Sequence, residues 1–438
     1  MSTSVFDFCK NLTWEAIPKD VQHQSKRCLL DLIGVAAAGR TTPTADLINS
    51  HAAMMFGGGK SALFFDGRLV SPAGAAMANG MTIDSMDAHD GHVLTKGHAG
   101  CGVLPALVAI IQAQGLTVTG TEFLTTLVIG YEIAIRAGIS LHATAPDYHT
   151  SGAWVAIAAA AMGARLMDMN ETQFRHAIGI AEYHGPRSQM MRLIDAPTML
   201  KDGSGWGAMA GVSAAYLAQS GFTGAPAISV EETEYFDDLN EKWHMMGQYF
   251  KLYPVCRWAQ PAVEAAAALK REHGFNADDI QSLSIETFHE GKRLAVGKPT
   301  ASDEAQYNLP FSVAAYLVHD SLGPRQVTGA GLTDPATLAL MDKIVMREDD
   351  TFNARFPAER WARAIITLKD GQSFISSDTT AQGVWDNPPT DETLNAKYDD
   401  LTRDSGLTAD FNRIKELVWT MQNEQSADDL LSLLCAGA

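Results

Sequence analysis

From about residue 20 to 260 the apolar residues recur at helical spacing in segments that end at or near glycine: KRCLLDLIGVAAAG, VLPALVAIIQAQG, EFLTTLVIGYEIAIRAG, WVAIAAAAMGARLMD and MAGVSAAYLAQSG. Each carries apolar residues on more than one face, the pattern of helices buried inside a large bundle. Their alanines and glycines let neighbouring helices approach closely. After Glu264 the text changes. IQSLSIETF (280–288), KIVMRED (343–349) and ARAIITLKDGQSFISSD (362–378) alternate or cluster β-branched residues, and LKDGQSF reads as strand, turn, strand with Asp370-Gly371 at the turn. Helical text returns after the proline pair 388–389, in TDETLNAKYDDLTRDSG and ADFNRIKELVWTMQ, each opened by a capping residue. The pattern predicts a mainly α protein: a discontinuous all-helical domain over 1–263, completed by 389–438, with a smaller α/β (α+β) domain over 264–388 inserted between the two parts.

Composition bounds the function. A chain of 438 residues, 46% hydrophobic, buries a large core and can hold two or three average domains. A formal charge of −18 and a pI near 5.1 argue against nucleic acid or an anionic membrane as partner. An anionic substrate would have to be met by local charge, for which Lys96, Lys201, Lys251 and Arg257 are candidates. The five cysteines (9, 28, 101, 256, 435) are odd in number, scattered and without a CxxC pair, which disfavours a disulfide framework or structural zinc and fits a reducing cytoplasm. MSTSVFDFCKN has no basic region followed by an apolar core, so no secretory signal is expected. The longest apolar run noted, AWVAIAAAAMGA near 153–164, is too short to span a bilayer.

The stretch Asn79–Gly100 is the densest in groups that move protons: Asp84, Asp87, His89, Asp90, His92, Lys96 and His98, with glycines at 80, 91, 97 and 100. Burying unpaired ionisable groups is costly, so an irregular, site-forming loop is expected rather than a core element. His98 stands just ahead of a helix with Pro105 expected in its first turn, where the helix N-terminus favours a neutral imidazole or an anion; capping of the loop explains it equally. His149, in PDYHTSGAW, leads into another apolar helix with Thr150 and Ser151 as possible caps, which accounts for those two residues but not the histidine. Lys201 sits in MLKDGSGWGAMAGV, where glycines permit close backbone approach to a ligand; by itself it is also an ordinary surface lysine. FKLYPVCRWAQP (250–261) gathers Lys251, Tyr253, Cys256 and Arg257, with packing the simpler role for the thiol. FGGGKS at 56–61 lacks the first glycine of a phosphate loop. Asp84, His89, Asp90 and His92 together could also serve a metal-dependent hydrolase.

The order of landmarks resembles the MmgE/PrpD family, which includes 2-methylcitrate dehydratases, cis-aconitate decarboxylase and iminodisuccinate epimerase. They run LLDLIGVAAAG (29–39), ANG (78–80) leading to MDAHDGH, HAG with VLPAL, IGYEIAIRAG (129–138), YHTSG (148–152), LKDGSGWGAMAGVSAAYLAQSGFTGAP (200–226), KLYPVC (251–256), AQYNLPFSVA (305–314) and NPPTDETLNAKYDDL (387–401). The resemblance implies a helical domain with a smaller α/β lid, usually a homodimer, and no metal or organic cofactor. It implies catalytic roles for Asp87, His98, His149 and Lys201, with Lys251 from the KxYPxC motif. Three positions depart from the pattern: AHDGH follows Asp87 where FDDTH is commoner, HAG stands for HPG or HPS, and Phe311 stands where a tyrosine is common.

The reactions of that family make or break a bond beside a carboxylate through an enediolate-like state, which needs a base at carbon and fixed positive charge at oxygen. The expectation is a cofactor-independent enzyme acting on a small di- or tricarboxylate, first as a hydro-lyase like 2-methylcitrate dehydratase. The epimerase or decarboxylase of the same family is the alternative, ahead of a metal-dependent hydrolase and of a non-catalytic binding or scaffold subunit. In this scheme His98 exchanges the α-proton, Asp87 orients it, Lys201 and Lys251 hold carboxylates, and His149 is the second acid. His89, His92, Lys96 and Arg257 are candidates for reading the rest of the substrate.

Overall fold

The computed structural model of the chain describes residues 4–294, 297–403 and 405–437. At its centre the helix Ser204–Gln219 lies between Pro72–Asp84 and Gly152–Leu166. Glycine makes that crossing possible, because a β-carbon on Gly80 would stand 2.7 Å from the Cα of Gly205. The backbones therefore meet directly, and the loop ahead of Ser204 is fixed over the end of the 72–84 helix. Gly100–Gln114 packs on the same helix, and Gly120–Thr144 packs on Gly152–Leu166. Ala99 caps the helix that begins at Gly100, so Pro105 lies inside it rather than in its first turn.

Gly120–Thr144 has the length and mean hydropathy of a bilayer span, a property the apolar-run count above passed over. Its apolar window is wholly buried among other helices, the position of a core helix. Lys19–Gly39 is likewise buried along most of its length, and Asp391–Arg403 lies across it. The C-terminal segment thereby rejoins the helical body: Tyr398 packs on Gly34, and the Phe65 N–H donates to the Leu434 carbonyl at 2.8 Å.

The smaller unit carries a four-stranded sheet in the order Ile344–Glu348, Ile280–Thr287, Ala362–Leu368, Ser373–Ile375. The first pair is parallel and the others are antiparallel. Asp370-Gly371 forms the expected turn, with Gly371 at φ +91°, where a β-carbon would be strained. Gln260–His273 packs on the 362–368 strand and on Leu309–His319. The 263/264 boundary falls inside this helix, whose periodicity runs through the change in composition.

Candidate active site

The whole of 84–92 is buried, where an irregular loop rather than a core element was expected. What offsets much of the burial is a set of hydrogen bonds and ion pairs from distant parts of the chain, while His89 Nε2, Asp90 Oδ1 and His92 Nδ1 are left without a hydrogen-bond partner. The Asp90 N–H donates to Asp31 Oδ2 at 2.9 Å, and Lys397 donates to Asp31 Oδ1 at 2.5 Å and to the Ala88 carbonyl at 2.6 Å. Tyr131 donates its hydroxyl to Asp90 Oδ2 at 2.6 Å. Burial, then repulsion from Asp31, raises the Asp90 carboxyl to about 6. The Asp87 N–H donates to Gln306 Oε1 at 2.9 Å, and Lys251 forms an ion pair with the Asp87 carboxylate. Burial alone would raise Asp87, but the ion pair with Lys251 brings it below the usual carboxylate range. Lys251 is depressed by burial and raised beyond that by Asp87, so both members of the pair stay charged.

His98 is held from two sides. Its backbone N–H donates to Ser151 Oγ at 2.9 Å, so Ser151, at the cap position of the 152–166 helix, serves the histidine loop instead of the helix end. Its Nδ1 lies 2.5 Å from the Asp90 carbonyl, which can only accept, so Nδ1 carries the proton and Nε2 keeps its lone pair. Burial, then Lys251 and His89, holds the imidazole well below its ordinary pKa, hence neutral. Nε2 faces the Asp202 carboxyl at 3.4 Å. Burial, then Asp84 and Asp87, pushes that carboxyl well above the carboxylate range, so Asp202 holds a proton. A neutral base and a protonated acid thus share one boundary of a cleft.

The departure at Gly91 has a structural cause. A β-carbon there would lie 2.5 Å from Tyr249 Oη and 2.7 Å from His98 Nδ1. In this backbone the place of a 91 side chain is taken by His98 itself.

The cleft is lined from the helical domain by Lys96, Asp87, His98, Asp202, Met190, Leu193 and Ile194, from the junction by Tyr249, Lys251, Cys256, Arg257 and Trp258, and from the lid by Tyr307 and Arg360. It encloses about 420 Å³ between atoms, constricted so that its free room takes about two water molecules. A larger groove of about 1290 Å³ is bordered by Lys397, Arg403, Asp320 and Asp400 but by no imidazole, so its size does not bring chemistry.

Of the residues singled out in the sequence, Asp87, His98, Lys251, Lys96 and Arg257 line the cleft; His89, His92, His149 and Lys201 do not. Lys201 is turned inward by its left-handed backbone (φ +49°) and donates to Gln306 Oε1 at 2.6 Å, with Asp303 at 3.3 Å. Gln306 Oε1 also accepts the Asp87 N–H, so the lysine bears on the site through that amide. His149 is half-buried, its Nδ1–H donating to the Asp147 carbonyl at 3.0 Å and its backbone N–H to His142 Nε2 at 3.0 Å. His92 turns away toward His244, ring centroids 5.9 Å apart, and burial, then His244, holds it down to about 3. His89 lies beneath His98, rings edge-on at 4.3 Å, with Nε2 3.4 Å from Asp84. Asp84, His89 and Cys101 are the group among the described residues with ligand atoms near enough for a metal, all within 4.8 Å. That is not the Asp84, His89, Asp90 and His92 set suggested by spacing. Cys101 instead donates its thiol to Ser204 Oγ at 3.0 Å and is held protonated by burial and Asp84.

Sequence reasoning missed Asp202, Tyr249, Tyr307 and Arg360. Asp202 was adjacent to a residue already chosen. Phe311 is fully buried and does not line the cleft, whose phenol hydroxyls come from Tyr249 and Tyr307.

Residues 4–245 match the MmgE/PrpD N-terminal domain and 253–423 the MmgE/PrpD C-terminal domain. The chain is 23% identical to cis-aconitate decarboxylase of Aspergillus terreus, over 99% of this chain and 96% of that one. It is 23% identical to the cis-aconitate decarboxylase-like protein oryM of Aspergillus oryzae, over 95% and 94%. Mitochondrial 2-methylcitrate dehydratase of Yarrowia lipolytica is 29% identical over 50% of this chain and 46% of its own.

Proposed function

This chain belongs to the MmgE/PrpD family, and from that premise we propose that it is a cofactor-independent lyase acting at the α-carbon of a small di- or tricarboxylate. The observation that carries the reading is the placement of His98, its Nδ1–H tied to the Asp90 carbonyl and its Nε2 3.4 Å from the Asp202 carboxyl on the wall of the cleft. In a dehydration, Nε2 takes the proton from the carbon next to a carboxylate. The electron pair moves into that carboxylate as an enediolate, stabilised by Lys251 at the cleft wall. The pair then returns to form the double bond as the neighbouring hydroxyl leaves with the Asp202 proton as water. The asymmetry of the two groups, one base and one acid, fits elimination.

A second reading is favoured by full-length similarity to cis-aconitate decarboxylases. There carbon dioxide departs first, and the carbanion left behind takes the proton from Asp202. Both need the same cleft. A cytoplasmic homodimer is part of this reading, supported by the free cysteines and by the apolar surface that Leu200, Trp206, Leu217 and Phe222 expose on one stretch of chain. Light scattering of the purified protein tests the dimer.

The test of function is proton NMR of metal-stripped protein in deuterated water with citrate, 2-methylcitrate, cis-aconitate, malate and iminodisuccinate. Deuterium at an α-carbon with loss of water or carbon dioxide is expected, and His98→Asn should reduce it by about 10²- to 10⁴-fold without unfolding the protein. Exchange that survives in His98→Asn refutes the assignment of the base, and epimerisation without loss of a group would make the enzyme an isomerase.

A further inference from the structure

Six ionisable carboxyl, ammonium and guanidinium side chains line the cleft: Asp87, Asp202, Lys96, Lys251, Arg257 and Arg360. Lys251 is committed to Asp87, and Asp202 keeps its proton. Three cations remain, and among the described residues none of the three has a carboxylate within ion-pair distance. Arg257 is buried with its guanidinium over Tyr249 at 4.6 Å; Nη1 donates to Gln260 Oε1 and the Gln382 carbonyl at 2.9 and 2.7 Å, and buried Nη2 has no partner. Arg360 is half-buried over the Phe356 ring at 6.0 Å, and its buried Nε has no partner either. Lys96 holds a left-handed backbone (φ +53°) with its ammonium 4.5 Å above Tyr148 and 3.3 Å from the Leu94 carbonyl.

Three cations without counterions in a constricted cleft, in a protein of net charge −18, is an arrangement that costs stability unless an anion completes it. Two of the orphaned donors are guanidinium N–H groups, whose planar fork suits carboxylate. The three side chains come from different parts of the fold: Lys96 from the helical domain, Arg257 from the junction, and Arg360 from the lid segment ahead of the 362–368 strand. Arg360 is also backed by a rigid pile, since Phe356 stacks on Phe288 at 4.9 Å and meets Trp258 edge-on at 5.6 Å.

We propose that Arg360, with Arg257 and Lys96, binds the substrate carboxylates remote from the reacting carbon, and that Arg360 is the residue by which the lid selects a polycarboxylate and closes over it. This rests on the carboxylate-lyase reading above. Lys251 and Asp202 serve the reacting end, while the arginine pair and Lys96 take the far end. A monocarboxylate would satisfy one end and leave the lid guanidinium unpaired. The requirement for a remote carboxylate then becomes a requirement for lid closure.

The test is isothermal titration of tricarballylate, glutarate and butyrate into wild type, Arg360→Gln and Arg360→Lys, with hydrogen exchange of residues 344–368 as the readout of the lid. Wild type should bind tricarballylate most tightly and butyrate least, with exchange in the lid slowed by tricarballylate. Arg360→Gln should weaken tricarballylate roughly 10- to 100-fold, leave butyrate nearly unchanged and abolish the slowing. Arg360→Lys, which keeps the charge, should recover part of each and guards against a folding defect in the glutamine variant. Equal tricarballylate affinity in wild type and Arg360→Gln overturns the proposal while leaving the lyase reading in place. No binding of any of the three acids to wild type overturns both.

Discussion

Replacing Gly91 by alanine tests whether His98 is packed as its chemistry requires. The added β-carbon would meet Tyr249 Oη at 2.5 Å, Tyr249 Cζ at 2.6 Å and His98 Nδ1 at 2.7 Å, whereas ordinary contact begins near 3.4 Å, so these rings must retreat by about 0.7–0.9 Å. Neither has room to spare. Tyr249 is buried beneath Arg257, and His98 is clamped between the Asp90 carbonyl and Ser151. The imidazole therefore gives way at its Nδ1–H bond, which releases the tautomer and displaces Nε2. Overpacking of this size costs about 1–3 kcal/mol of stability, and a misplacement near 1 Å costs catalysis about 10²-fold. Steady-state kinetics on the acid identified by NMR, with urea unfolding of the same samples, measures both. An alanine variant whose kcat stays within about twofold of wild type would show that His98 does not need this position, and the assignment of the base would fall with it.

Lys201→Met should lower stability and kcat together, because it removes the ammonium that fixes Gln306 and through it the Asp87 turn; full stability with activity lost would mean that the lysine touches substrate after all. Lys251→Met leaves Asp87 buried and unpaired and should cost about 3–5 kcal/mol, part of which Asp87→Asn in the same chain restores without restoring turnover. His92 is held down to about 3 in the fold, so it stays neutral there while the unfolded chain takes up a proton below about 6.5. Its contribution is present above that pH and lost as pH falls, at about 1.4 kcal/mol per pH unit. His92→Gln should flatten urea stability between pH 7 and 5 by that slope, and an unchanged slope would contradict the buried neutral state.

How far the sequence carried this description depended on the range of the interactions. The helices of the body and the turn at Asp370-Gly371 follow from local periodicity and one glycine, and were legible for that reason. The density of ionisable groups in 79–100 marked a stretch that lines the cleft with Asp87, Lys96 and His98, yet spacing could not say which imidazole faces it. His89, His92 and His98 differ in destination because Asp84, His244 and Asp202, from other parts of the chain, receive them.

The exchange of roles between Lys201 and Asp202 is the sharpest case. In the text the lysine is the conspicuous charge amid glycines. In space, a left-handed turn at Lys201 and another at Gly203 (φ +63°) send the lysine behind Gln306 and put its neighbour against His98. Burial then changes what each group is. Burial, then Asp84 and Asp87, raises the Asp202 carboxyl, while the lysine is tied to Gln306 and Asp303. Arg360 was invisible for a simpler reason, since nothing around it in the sequence distinguishes it from any other arginine, and its meaning arises only where the lid meets two unpaired cations across the cleft. Residue type at a landmark therefore pointed to residues around this cleft, but the electrostatic surroundings of each were set by partners far away in the chain.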